Sequence, residues 1–189
     1  AVDKCPDFLS DVDNEGASLL DVCTGSGCIG LAIARRVKDA RVTLADLSPD
    51  ALRVAKRNVQ LQKLSARVMC LQADAMQPAQ EFLGKFDLIV SNPPYIPTAE
   101  WETLDPSVRD FEPRMALDGG ADGLDFYRAI VRNFTAALHP GGWLCMEFGM
   151  GQENAVCAIL RDGGYEIVEL RRDSAEIIRA VLAQKREEN

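Results

Sequence analysis

The sequence predicts an α/β fold, a doubly wound seven-stranded sheet that is mostly parallel with an antiparallel C-terminal hairpin. Three observations carry this. Short apolar runs alternate with helical stretches along most of the chain, which is the pattern of strands linked by crossover helices on both faces of a parallel sheet. The first run leads through a glycine turn into a helix, the opening of a nucleotide-binding unit. The last two runs are separated only by Arg171 to Glu176, too short for a crossover helix, so they form a hairpin.

Element by element, Ser18 to Cys23 reads as the first strand, followed by Thr24-Gly25-Ser26-Gly27 and a helix from Cys28 to Val37. Arg41 to Ala45 is the second strand and closes on Asp46. Ser48 and Pro49 then supply a cap and a first-turn proline for a helix reaching Leu64. Ala66 to Leu71 is a third strand running toward Asp74, with a short polar helix around Ala79 to Leu83 and a fourth strand from Phe86 to Val90. Residues 96–122 lack sustained periodicity, and loops of that length are usually functional, often lids. Leu124, Tyr127, Ile130, Val131, Phe134 and Leu138 recur at helical spacing up to a His139-Pro140-Gly141-Gly142 turn. A strand from Trp143 to Phe148, a helix from Gln152 to Arg161 and strands at Tyr165 to Leu170 and Ile177 to Ala183 complete the pattern. Residues 1–17 read as a tail or the remnant of an upstream element, and 18–189 as one domain.

The chain has 189 residues, is 47% hydrophobic and carries a net charge of -8. That suits a single core. The acidic balance disfavours direct nucleic-acid binding, which needs basic contacts. The six cysteines are scattered, with no Cys-x-x-Cys pair, and His139 is the sole histidine; no metal site or disulfide framework is expected. Most of the cysteines lie in apolar runs as small core residues, while Cys28 stands at a helix amino terminus, where a thiol is more easily ionised. No apolar stretch is long enough for a bilayer and no signal-peptide pattern is present, so the expected location is cytoplasmic, away from membranes.

Two stretches carry chemistry. Gly25-Ser26-Gly27-Cys28-Ile29-Gly30 satisfies a dinucleotide fingerprint, and Asp46 follows Gly27 by 19 residues. Glycines permit close approach of a cofactor, and a carboxylate suits the two vicinal hydroxyls of a ribose. Such a ribose occurs in both NAD and S-adenosylmethionine. Asp21 favours the latter, because it is compatible with an ammonium group and not with a pyrophosphate; Asp74, with the Ala75 amide, is placed to hold adenine. The second stretch is Asn92-Pro93-Pro94-Tyr95. Two prolines stop the fourth strand and hold an extended, stiff loop at the sheet edge where ligands bind in open α/β folds.

These motifs together resemble class I, Rossmann-like methyltransferases that alkylate an amide or amino nitrogen. The segment Phe111-Glu112-Pro113-Arg114-Met115-Ala116-Leu117-Asp118-Gly119-Gly120, followed by Asp122-Gly123-Leu124 and Tyr127-Arg128, is similar to the HemK/PrmC family of release factor glutamine N5-methyltransferases. The resemblance covers about residues 18–184. It implies S-adenosylmethionine as cofactor, held by Asp21, Thr24, Gly25, Ser26, Gly27, Asp46, Leu47, Asp74, Ala75 and Asn92. It implies the glutamine of a Gly-Gly-Gln sequence in a peptide chain release factor as substrate, held by Asn92, Pro93, Pro94, Tyr95 and Glu112, with Asn92, Pro93 and Tyr95 in the catalytic role. Arg179 falls where the family has an arginine, and the Arg171 to Glu176 turn is shortened relative to the family's hairpin. Family members usually carry a helical amino-terminal docking domain, whereas at most 17 residues precede the first strand here. A catalytic domain whose cofactor binding survives better than its affinity for the release factor is therefore expected. The competing readings are methylation of an exocyclic nitrogen such as adenine N6 in DNA or RNA, with Tyr95 stacked on a flipped base, an inactive cofactor-binding partner subunit, and a nicotinamide oxidoreductase.

Overall fold

The structure is a computed structural model that describes residues 16–187; the expected tail therefore lies outside it except for Gly16 and Ala17. The strands are β1 Ser18–Val22, β2 Arg41–Asp46, β3 Val68–Gln72, β4 Phe86–Ser91, β5 Leu138–Glu147, β6 Tyr165–Arg172 and β7 Ile178–Lys185. The helices are α1 Cys28–Arg36, α2 Pro49–Leu61, the single turn α3 Pro106–Arg109, α4 Asp125–Phe134 and α5 Glu153–Asp162. The strands form one sheet in the order β3-β2-β1-β4-β5-β7-β6. Pairing is parallel from β3 through β5, and β7 runs antiparallel to both β5 and β6, as the short Arg171 to Glu176 connection requires.

The period-two pattern of the strands sorts the core into two layers. Leu19, Val42, Leu44, Leu88 and Val90 pack under α1 and α2 with Leu31, Ile33, Ala55 and Val59. Leu20, Val22, Ile89, Leu144 and Met146 face the other way, against Tyr127, Ile130 and Phe134 of α4 and Val156 and Leu160 of α5. Each fully buried side chain of this size contributes about 1.5–3 kcal/mol of transfer free energy. Ser48 caps α2 by accepting from the Ala51 amide at 3.2 Å, with Pro49 at the first position, as expected. The helix stops at Leu61, three residues early. Lys63 turns left-handed at φ 57 and the Leu64 amide donates to the Val59 carbonyl, a Schellman closure that satisfies the last carbonyls.

Two other expectations change. The helix foreseen around Ala79 to Leu83 is one 3-10 turn, Glu81–Leu83. The His139-Pro140-Gly141-Gly142 turn is taken into β5: the register jumps from Phe86 opposite Leu138 to Leu88 opposite Trp143. His139 to Gly142 thus bulge out of the sheet, and Gln184 of β7 donates to the Gly141 carbonyl at 2.9 Å. Bulges bend a strand while keeping its neighbours paired. Among the described residues no helix is long and apolar enough to cross a membrane.

Candidate functional site

Parallel strands end on the same edge, and the sheet order puts the carboxyl ends of β3, β2, β1 and β4 side by side. Asp74 follows β3, Asp46 ends β2, Asp21 and the glycine loop end β1, and Asn92 follows β4. Neighbouring strands lie about 4.8 Å apart, so the edge from β3 to β4 is about 14 Å long. Chain order reverses direction between β1 and β4, which makes this the topological switch point, where a crevice opens in doubly wound sheets.

The glycine loop has a buried anchor. Asp21 is 1% exposed; its Oδ2 accepts from the Thr24 hydroxyl at 2.7 Å and from the Gly30 amide at 2.9 Å. Its Oδ1 is buried without a hydrogen-bond partner among the described residues. Burial, opposed by those two hydrogen bonds, raises its pKa to about 6, with the nearby charge of Asp46 adding. The three glycines do different work. A Cβ on Gly30 would collide with Leu44, and one on Gly27, at φ 86, would lie 3.0 Å from Leu44 Cδ1; both are demanded by packing of α1 on β2. Gly25, at φ 56, has open space where its Cβ would stand, so it alone faces outward. Cys23, just before the loop, sits at φ 58, and burial pushes its thiol up to about 12.

Asp46 Oδ2 accepts from the Gly25 amide at 2.8 Å and Oδ1 from the Ser48 amide at 2.9 Å. Each oxygen keeps a further lone pair for a donor. Leu47 beside it is exposed. Asp74 Oδ1 accepts from the Met76 amide at 2.9 Å, and Ala75 is buried. Leu47, Ala73, Asp74, Pro78, Leu83 and Phe134 are among the residues around a cavity of about 280 Å³.

At the β4 end, the Ser91 hydroxyl donates to the Val22 carbonyl at 2.7 Å, which ties β4 to β1 immediately before the proline loop. Pro93 and Pro94 are buried, Tyr95 is half-buried and Asn92 is exposed. Burial raises the Tyr95 phenol above its ordinary value; Glu147 and Glu112 add to this and Arg179 opposes it. Glu147, at the end of β5, is itself raised by burial and lowered by Arg179, whose Nε lies 3.3 Å from Asp173 Oδ2. The tyrosine is therefore a neutral phenol flanked by an acid and an arginine. Beyond it, residues 96–122 leave and return through a closed base: Ile96 donates to Leu117, Gly119 donates back to Ile96, and Thr98 donates to Gly120. The exposed Glu112 rides on this loop.

Three side chains outside the expected set hold the edge together. Asn133 of α4 donates to the Ala75 carbonyl at 3.2 Å, Asn58 of α2 donates to the Ser26 carbonyl at 2.9 Å, and Gln152 bridges the proline loop to the turn after β5. Gln152 was legible only as the start of a helix. Its place beside a strand's carboxyl end was the available signal.

The family model described as "Methyltransferase small domain" matches residues 2–104. The chain is 46% identical over 170 residues to the release factor glutamine methyltransferase of Clostridium acetobutylicum, covering 90% of this chain and 60% of that protein. It is 47% identical over 149 residues to the protein of the same name from Geobacter sulfurreducens, covering 79% and 51%. The chain thus spans between half and three-fifths of these relatives. In fold it is similar to a methyltransferase from Pyrococcus furiosus, with a TM-score of 0.66 at 18% identity over 98% of this chain and 83% of that one. The expected likeness to release factor glutamine methyltransferases and the expected class I methyltransferase fold are both borne out. By its matching residues and its sheet, the chain belongs to the methyltransferase small domain family.

Proposed function

We propose that residues 18–189 form an S-adenosylmethionine-dependent domain that methylates the side-chain amide nitrogen of a glutamine, the one in the Gly-Gly-Gln sequence of a peptide chain release factor. The observation that carries this reading is the order of groups along one sheet edge: Asp74, Asp46, Asp21 with Gly25, then Asn92. That order matches adenine, ribose, amino-acid tail and acceptor. The names of the relatives supply the acceptor.

The residues fit the cofactor. The orphaned Asp21 Oδ1 suits an ammonium group nearby, Gly25 leaves space for close approach, and the Asp46 oxygens keep lone pairs for ribose hydroxyls. Asp74 and Leu47 border the cavity side of the edge, and Ala75, next to Asp74, is buried. Thr24 contributes through Asp21, to which its hydroxyl donates, and Ser26 and Gly27 through the shape of the turn. When bound, the cofactor supplies a methyl group activated by a sulfonium.

The chain's task is to prepare a poor nucleophile, because an amide lone pair is delocalised into its carbonyl. Asn92 Oδ1 and the Pro93 carbonyl would accept the two amide protons and so fix the direction in which the nitrogen presents its lone pair; positioning supplies roughly 7–11 kcal/mol in the best cases. Pro94 stiffens the loop. In the transfer the new carbon–nitrogen bond would form as the sulfonium carbon–sulfur bond breaks, leaving S-adenosylhomocysteine as the product and positive charge on nitrogen, which these acceptors together with the Tyr95 face would favour more than the ground state. The nitrogen then loses a proton to water. Glu112, on the loop past Tyr95, contacts the arriving polypeptide.

Incubation of the protein with cofactor and a release factor, followed by mass spectrometry of the Gly-Gly-Gln peptide, is expected to show one added methyl on glutamine. A peptide left unmodified, while nucleic acid added to the same reaction with tritiated cofactor gains label, would transfer the assignment to base methylation.

A further inference from the structure

We infer that Gln152 is a positioning residue for the acceptor loop, acting through the backbone of Tyr95; this rests on the reading of Asn92 to Tyr95 as the loop that holds the acceptor. Gln152 stands at the amino-terminal boundary of α5, 57 residues from Tyr95 in the chain. Its Oε1 accepts from the Gly149 amide at 2.9 Å. Its Nε2 donates to the Tyr95 carbonyl at 2.9 Å and lies 3.4 Å from the Gly123 carbonyl oxygen. One side-chain amide thus joins the acceptor loop, the turn before α4 and the turn after β5.

Glycines clear the space for this grip. A Cβ on Gly123 would collide with the Tyr95 carbonyl oxygen and stand 2.7 Å from Gln152 Nε2. A Cβ on Gly119 would lie 2.8 Å from both the Pro94 oxygen and the Tyr95 Cα, and one on Gly149 would lie 3.0 Å from Gln152 Oε1 and 3.1 Å from the Tyr95 ring. Gly119 and Gly123, in one turn, thus stand against the Pro94–Tyr95 backbone, and Gly149 stands against the Tyr95 ring. Prolines 93 and 94 have no amide hydrogens to fix the loop themselves, so its first anchors after Ser91 are the Tyr95 carbonyl, held by Gln152, and the Ile96 backbone, held by Leu117 and Gly119. Only a group with both a donor and an acceptor on a planar head can make these bonds.

Gln152→Glu keeps the shape and places an oxygen against two carbonyl oxygens; Gln152→Met keeps length without either hydrogen bond. Three quantities are measured on each: cofactor Kd by calorimetry, kcat and KM on a Gly-Gly-Gln peptide, and hydrogen exchange of the Tyr95, Ile96 and Thr98 amides compared with those of α5. The expected result is a loss in kcat/KM of at least about 30-fold with cofactor Kd within about threefold, and exchange at 95–98 faster by about tenfold or more while α5 is unchanged. Unchanged exchange at 95–98, or a fall in cofactor affinity that matches the fall in kcat/KM, overturns the inference. If one variant fails to fold, the other decides by the same criteria. Should the wild-type protein not methylate the peptide, the acceptor assignment fails separately, and the exchange comparison alone decides whether Gln152 holds this loop.

Discussion

The carboxylate of Asp46 accepts a hydrogen bond from the backbone amide of Gly25, 21 residues earlier, at 2.8 Å. The group assigned to a ribose therefore also pins the glycine turn. Asp46→Ala is expected to remove both functions: stability falls by about 1–3 kcal/mol, because a charge-assisted hydrogen bond is lost, and cofactor affinity falls by more than about tenfold. Asp46→Asn, which keeps one acceptor oxygen, is expected to fall between Ala and wild type. Thermal melting and calorimetric titration measure the two effects, and a stable Ala variant with wild-type affinity would refute both roles.

Gly25 and Gly30 separate a glycine proposed to face the cofactor from a packing glycine. Gly30→Ala is expected to destabilise by about 1–3 kcal/mol through overpacking against Leu44. Gly25→Ala meets no neighbour and is expected to cost about 1 kcal/mol for its left-handed backbone. It is the Gly25 variant, however, that should lose cofactor affinity most. Equal affinities in the two variants would contradict the assignment.

Asp21 gives a pH dependence with a defined sign. Its pKa near 6 in the folded protein lies above the ordinary 3.8, so between these values the native state binds the proton more tightly. Stability from this group is therefore highest below about pH 4 and declines as pH rises to 6, by on the order of 3 kcal/mol. Without cofactor, Asp21→Asn should gain stability relative to wild type across that window in melting experiments. Cofactor binding should run the other way, since an ammonium near Oδ1 favours the carboxylate. Wild-type Kd is expected to tighten by about tenfold from pH 5 to 7, with the Asn variant flat. A flat wild-type profile would remove Asp21 from the cofactor site.

Asn92 is the exposed residue at the β4 end, so its side chain can be changed without opening the core. Asn92→Ala is expected to abolish detectable methyl transfer while the cofactor Kd, to which Asn92 adds one contact among many, weakens only by about a few-fold and the melting temperature stays within a few degrees. Retained turnover would exclude it as the amide acceptor.

Local chemistry was legible in the sequence alone. Glycines at a turn, a serine–proline helix start, prolines that stop a strand and aspartates just past apolar runs act within a few residues, so periodicity and residue type located Asp21, Gly25, Asp46, Asp74 and Asn92 and predicted the C-terminal hairpin. Tertiary structure decided what those residues do for each other. The insertion of β7 between β5 and β6, the absorption of His139 to Gly142 into β5, the left-handed stop of α2 at Lys63, and the division of labour among Gly25, Gly27 and Gly30 depend on which strand lies beside which. So do the buried isolation of Asp21 Oδ1 and the reach of Gln152 to Tyr95 across 57 residues. A turn is determined by the torsions of its own residues, whereas burial and long-range hydrogen bonds are determined by the packing of the whole sheet.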